Sequence, residues 1–308
     1  MEASITFKGI GKTFRNNTLL ADLSFGVEKG STFVIVGENS AGKSVVLKLL
    51  VGLIQKDAGM AYIHGKDIST RGEEVRAITG YMPQTIDLDD ELTVFENLEI
   101  FGRLHGLSVM DANKNALDWA ERLDFGMNLT QMPKDLSNGK KRLVQFARAL
   151  VHDPEVIILD EPTTGLDPHS RTKVWHVLDK LHQHKTILFA TQNFAEAERY
   201  ADRIAILHQG NIKMDGTLER LIETTHGLTR YRLSFSQPPT DEFMEKLKEF
   251  PRILRSQVKG TELEFYSRER KQFFKALELA LKYELEDIDT SICRLHDLFV
   301  GLTDGGLE

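Results

Sequence analysis

Three runs, "STFVIVG", "VIILDEP" and "TILFAT", are short, continuous and apolar, the pattern of strands covered on both faces, and helical patterns lie between them. This alternation predicts an α/β core of mostly parallel strands. The stretches "SITFKGI", "LSFGV" and "AYIHGKDI" instead alternate apolar and polar residues, which predicts half-buried antiparallel strands carried at one edge. From about Asp89 to His152 the period becomes helical. "TVFENLEIFGRL" and "KRLVQFARALV" place apolar residues three and four apart, so a helical insertion over about 89–152 interrupts the core.

"RIAILHQGNIKMDGT" predicts a closing hairpin, followed by the helical "LERLIETTHG". The pattern changes near Gly227, dividing the chain into a domain of residues 1–226 and a second of residues 227–308. In the second, "YRLSF" and "ELEFY" alternate like strands, while "DEFMEKLKEF" and "KQFFKALELALKYE" repeat at helical spacing. These elements predict a small two-layer α+β unit, and no catalytic cluster stands out in it.

Composition narrows the classes. At 308 residues and 41% hydrophobic, the chain is long enough to bury two cores. A net charge of −7 gives no electrostatic footprint for a phosphate backbone, so nucleic acid is not an expected partner. One cysteine, Cys293, excludes an internal disulfide, and "MEASITFKGI" has neither the basic start nor the apolar core of a signal peptide. Both point to the cytoplasm. No window approaches the roughly 18 consecutive apolar residues of a membrane span, so any work at a membrane is expected to pass through another subunit.

The strongest chemical signal is "GENSAGKS", Gly37 to Ser44, which follows the strand "TFVIV" and precedes the apolar "VVLKLLVGL". It matches GxxxxGK[ST] in the strand-to-helix setting that pattern requires. Such a loop turns backbone N–H groups, here those of Glu38, Asn39, Ser40 and Ala41 between the glycines, toward polyphosphate at a helix N-terminus, where the dipole also favours negative charge. Gly37 and Gly42 allow the close approach, Lys43 reaches the outer phosphates, and the Ser44 hydroxyl suits Mg²⁺. In "VIILDEP" the strand ends in two acids, placing Asp160 and Glu161 at a C-terminal sheet edge, where ligands sit in open α/β sheets. Asp160 is the candidate for Mg²⁺, and Glu161 is the candidate general base for an attacking water.

Over residues 4 to 220 the order of these motifs resembles the nucleotide-binding subunit of ATP-binding cassette (ABC) transporters, with a layout similar to the exporter type. The resemblance implies a phosphate-loop ATPase core that uses ATP and Mg²⁺ and pairs with a second ATPase subunit, the same or different, around two ATP. It also implies an integral membrane permease subunit, which would hold the chain peripherally on the inner face of the membrane. Gln84 in "GYMPQ" matches the family's Q-loop glutamine, which touches Mg²⁺ and the attacking water. "LSNGK" stands where the family has LSGGQ, so Ser137 and Gly139 would contact the γ-phosphate of ATP held by the opposite subunit. Asp167 in "GLDP" matches the D-loop, and Phe14 lies where an aromatic stacks on adenine, although an aromatic in an edge strand also serves packing.

The departures from that pattern are Ser40 and Asn138 in place of glycine and Lys140 in place of glutamine. Val45 stands where a second hydroxyl is usual, predicting the loss of one α-phosphate hydrogen bond. Gln192 in "TQN" replaces a switch histidine: its amide can donate a hydrogen bond to the γ-phosphate but carries no positive charge. Losing one aimed electrostatic donor costs about 10²–10³ in rate, so slow turnover is expected. The tail "TSICRLHDLFVGLTD" is similar to the closing segment of exporter cassettes, and its spacing at Ile292, Leu295, Leu298 and Phe299 equally fits a core helix. Two alternatives stay open: half of a heterodimer whose degenerate site is slow, and a nucleotide-gated regulatory ATPase outside transport.

Overall fold

The computed structural model describes residues 3–15, 17–182, 184–223, 229–250, 253–267, 269–292 and 294–303. The chain forms two compact units, Met1–Asp215 and Gly216–Glu308. The pattern change expected at Gly227, and Cys293, lie outside the described residues.

The first unit begins with two long edge strands, β1 (Ala3–Phe14) and β2 (Asn17–Glu28), and the central β3 (Thr32–Val36). Helix α1 (Lys43–Leu50) leads to β4 (Ala58–Ile63), β5 (Lys66–Asp67), α2 (Gly72–Ala77) and β6 (Thr79–Met82). The helical insertion contributes α3 (Val94–Leu104), α4 (Val109–Arg122) and α5 (Asn138–Leu150). Strand β7 (Val156–Asp160), α6 (Pro168–His182), β8 (Thr186–Thr191), α7 (Phe194–Tyr200), β9 (Arg203–His208) and β10 (Asn211–Gly216) complete it.

The six-stranded sheet has the order β10-β9-β3-β8-β7-β6, and β9, β3, β8, β7 and β6 pair with one another in parallel. Every residue of β3, β7 and β8 is buried, which is why these strands are written as unbroken apolar runs. The alternating stretches form a second sheet, β2-β1-β4-β5, which is antiparallel throughout. Its inward residues, among them Phe7 and Phe25, join α1 and the parallel strands in one core, with Phe25 stacked between Phe7 and Phe33.

Register positions the chemistry. Val36 pairs with Thr191 and Asp160 with Ala190, so the carboxyl ends of β3, β7 and β8 lie side by side. The loops that follow them carry Gly37, Glu161 and Gln192. In the insertion, α3, α4 and α5 pack on one another. Thr93 and Glu96 form a reciprocal capping box at α3, and Ser108 and Ser137 cap α4 and α5.

The second unit opens with α8 (Leu218–Glu223) and continues through β11 (Thr229–Phe235), α9 (Asp241–Lys248), β12 (Ile253–Lys259), β13 (Glu262–Ser267), α10 (Arg270–Ala280), β14 (Leu285–Ile292) and α11 (Leu295–Thr303). The sheet order is β12-β13-β11-β14, antiparallel throughout. Tyr231, Leu233 and Phe235 alternate along β11 into a core with Phe243 of α9 and Phe273 of α10. Asp297 of α11 accepts hydrogen bonds from Arg230 at 3.2 Å and the Tyr266 hydroxyl at 3.1 Å. The tail differs from the helical spacing expected at Ile292: that residue closes β14, and the helix starts at Leu295.

Candidate functional site

A cleft of about 230 Å³ opens at the carboxyl edge of the parallel sheet, lined by Leu19, Asn39, Ser40, Gly42, Lys43, Ser44, Val45, Gln84 and Glu161. Close packing builds the loop around it. A Cβ on Gly37 would lie 2.2 Å from the Leu207 carbonyl oxygen of β9, so only glycine allows the loop to pass there. Gly42 caps α1 at φ 105°, with no side chain to bond the first-turn N–H groups. Those N–H groups lack intrahelical acceptors by the geometry of a helix start, and so they face the cleft as donors. Ser40, expected at a position suited to glycine, does adopt a positive φ of 69°. Asn138 does not: it is the first helical residue of α5, where asparagine needs no left-handed conformation.

Lys43 is 6% exposed, and its Nζ donates to the carbonyls of Gly37 at 2.8 Å and Glu38 at 3.0 Å. The Glu161 carboxylate lies 3.7 Å away. Burial pushes the Lys43 pKa down despite the neighbouring Glu161 and Asp160, and pushes both acids up despite Lys43 and the Ser44 hydroxyl beside Asp160. Desolvation thus outweighs pairing for all three groups, the condition of a site in which a charged ligand is the missing partner. Asp160 is fully buried, and neither carboxylate oxygen has a well-formed hydrogen bond. Such an orphaned acid beside Ser44 fits a divalent cation. No cluster of three or more histidine, cysteine or acidic residues able to hold a metal occurs among the described residues, so a cation here would complete its shell with phosphate oxygens and water.

Glu161 sits at φ 52°, in the left-handed region where a non-glycine residue is strained by about 1–3 kcal/mol. Its N–H donates to the Ala190 carbonyl at 2.9 Å, Thr164 donates to its carboxylate at 3.2 Å, and the Gln192 backbone N–H also favours its ionised form. The Gln84 side chain is exposed where it lines the cleft, whereas Gln192, also exposed, is not among the lining residues. Val45 is half-buried, lines the cleft and packs against the core.

Other expected contacts lie outside this cleft. Ser137 accepts the Lys140 N–H at 3.4 Å as the cap of α5, and Ser137, Asn138 and Lys140 are exposed. A Cβ on Gly139 would meet only the Gly165 carbonyl at 3.9 Å, so the signature turn and the loop bearing Asp167 are neighbours on one surface. Asp167 accepts from the Ser170 N–H and hydroxyl, which holds its pKa below the ordinary carboxylate range. Phe14 is 60% exposed at the end of β1, with the Arg15 guanidinium 5.7 Å above its ring; Leu19, for which no role is expected from its sequence context, takes the apolar wall of the cleft. Arg142 was also missed, although it is a charged residue on the apolar face of α5.

A phosphate loop joined to an acid-tipped parallel strand defines a phosphate-loop ATPase. The family model described as "ABC transporter" matches residues 20–164. The Nod factor export ATP-binding protein I of Mesorhizobium japonicum is 33% identical over 308 residues, spanning 99% of this chain and 88% of the relative. Among solved structures, an ATP-binding subunit of an ABC transporter aligns with a TM-score of 0.68 at 29% identity, covering 72% of this chain and 93% of that one. A dimeric ATP-binding cassette in a post-hydrolysis state, bound to ADP and Pi, aligns at 0.65 and 25% identity, covering 70% and 98%. The chain belongs to the ABC transporter family, as an ATP-binding subunit that hydrolyses ATP.

Proposed function

We propose that the chain pairs with a second cassette around two ATP and uses their hydrolysis to drive export through a separate membrane permease. The observation that carries this reading is the split site: Ser137 and Gly139 sit on an exposed helix start outside the cleft that holds Lys43 and Glu161. A nucleotide lying in the cleft is covered only when a second cassette brings its own "LSNGK" turn across.

In this reading the first-turn N–H groups of α1 and Lys43 bind the phosphates, with Gly37, Glu38, Asn39, Ser40, Ala41, Gly42 and Val45 forming the cradle. Ser44, Asp160 and Gln84 would hold Mg²⁺, which neutralises phosphate charge when bound. Glu161 accepts the proton of the attacking water, and Gln192 donates to the γ-phosphate. Phe14 covers the adenine, and Asp167 joins the interface. The export names of the relatives support the direction of transport. A groove of about 440 Å³ beside the Gln84 loop, lined by Val51, Leu53, Tyr81, Phe101 and His105, suits a cytoplasmic helix of the permease. No helix among the described residues is long and apolar enough to cross a membrane, and the permease places the chain on the cytoplasmic face. Residues 1–226 form the motor and residues 227–308 an accessory domain.

Native mass spectrometry of the complex purified from detergent-solubilised membranes tests this. Two cassettes with permease subunits are expected. A different cassette beside one copy would assign "LSNGK" to a heterodimer, and absence of any membrane subunit would overturn the transport reading.

A further inference from the structure

Arg142 of α5 is 4% exposed and spends its guanidinium almost entirely on backbone carbonyls. One terminal nitrogen donates to Pro83 at 2.9 Å and Gln84 at 2.7 Å, and also to the Gln145 side chain at 3.2 Å. The other donates to Asp160 at 2.9 Å and Glu161 at 2.6 Å. One rigid, planar fork therefore joins two loops that enter the cleft from different strands. One turn further on, Gln145 donates to the Thr85 carbonyl at 2.7 Å and the Asp87 carboxylate at 3.0 Å, fastening the same loop again.

The bonds to Asp160 and Glu161 fall on the carbonyls that flank the strained φ of Glu161. A left-handed residue persists only where its surroundings over-determine it. Fixing the carbonyls on both sides fixes the peptide planes, and these set the direction in which Glu161 projects its carboxylate. The Ala190 carbonyl holds the Glu161 N–H from the opposite side. The side chain of Arg142 does not line the cleft, so any action on the reaction passes through these backbones.

We propose that Arg142 is a positioning residue for ATP hydrolysis, locking Glu161 in its left-handed conformation and tying it to the Gln84 loop. This rests on the reading of Glu161 as general base. Because α5 begins at the "LSNGK" turn, the same arginine connects the surface that meets the second cassette with the acid of its own cleft.

The test compares Arg142→Met, Glu161→Gln and the double variant in the full chain, measuring ATPase turnover beside equilibrium ATP binding. Arg142→Met is expected to lower kcat about 10²-fold, the scale of a displaced catalytic group, while ATP binding stays within a few-fold. The double variant should be no slower than Glu161→Gln alone, since a residue acting only through Glu161 has nothing left to position.

Losses that multiply, or a kcat unchanged in Arg142→Met, would overturn the proposal while leaving Glu161 in place. Full turnover in Glu161→Gln would instead remove the general-base reading beneath it. If Arg142→Met does not fold, Arg142→Lys carries the test. It retains the charge but cannot bridge both loops, so turnover should fall with ATP binding retained, and wild-type turnover would refute the role.

Discussion

The cleft and the first turn of α5 are both phosphate-facing devices in the proposed assembly, yet they are built in opposite ways. In the cleft, Lys43, Asp160 and Glu161 are all under 7% exposed and are held by their own chain, down to the carbonyls that Lys43 bonds. At α5 Ser137 is exposed and Gly139 half-buried, and the helix is buried only from Arg142 onward. A buried device pays for desolvation in advance and is useful as soon as ATP arrives. An exposed one stays solvated until a second cassette covers it. Departures such as Ser40 are thus absorbed within the fold, whereas Asn138 and Lys140, exposed at the start of α5, would act only across the proposed interface.

The largest test of this contrast is Lys43→Ala, expected to lower turnover about 10²–10³-fold and to weaken ATP binding by the isolated chain. Ser137→Arg should lower turnover about 10²-fold while ATP binding to the isolated chain is unchanged, measured by nucleotide titration beside ATPase assay. Equal loss of binding in both variants would erase the distinction.

The pH profile separates the two devices next. Burial holds the Glu161 pKa above the ordinary carboxylate range, so its basic form accumulates only as pH rises through that raised value. The acid limb of kcat/KM is therefore expected above the usual ~4.3 of glutamate, and Ser137→Arg should leave its midpoint in place. Lys43, whose pKa burial lowers from 10.5, should bring the alkaline limb below its ordinary position as its charge is lost.

The smallest effects belong to α5. Gly139→Ala has room for its Cβ and should stabilise the chain by up to about 1 kcal/mol through helix propensity, read as a higher Tm. Turnover should nonetheless fall severalfold, because the added methyl stands on the surface that a second cassette's phosphate approaches. Higher stability with unchanged turnover would remove Gly139 from the interface.

Much of this was legible because it is local. The phosphate loop occupies eight consecutive residues whose conformation follows from glycine, lysine and serine at fixed offsets. The parallel strands announced themselves by unbroken apolar runs. Strands β12 and β14 did not. In β14 the residues from Glu286 to Thr290 are exposed, so acids interrupt the alternation that marks a half-buried strand. Leu19 was invisible for another reason: an ordinary leucine at a strand end acquires a role only from the loop that passes it.

By itself, then, the sequence determined the fold class, the phosphate-binding loop and the acids that serve it, since each depends on residues close together in the chain. The tertiary structure alone decided that Val36, Asp160 and Thr191 end on one sheet edge, that Glu161 takes a left-handed turn, and that Arg142 braces it. Those features arise from strand register and from hydrogen bonds to backbone carbonyls, and a carbonyl carries no side-chain signature to be read in advance.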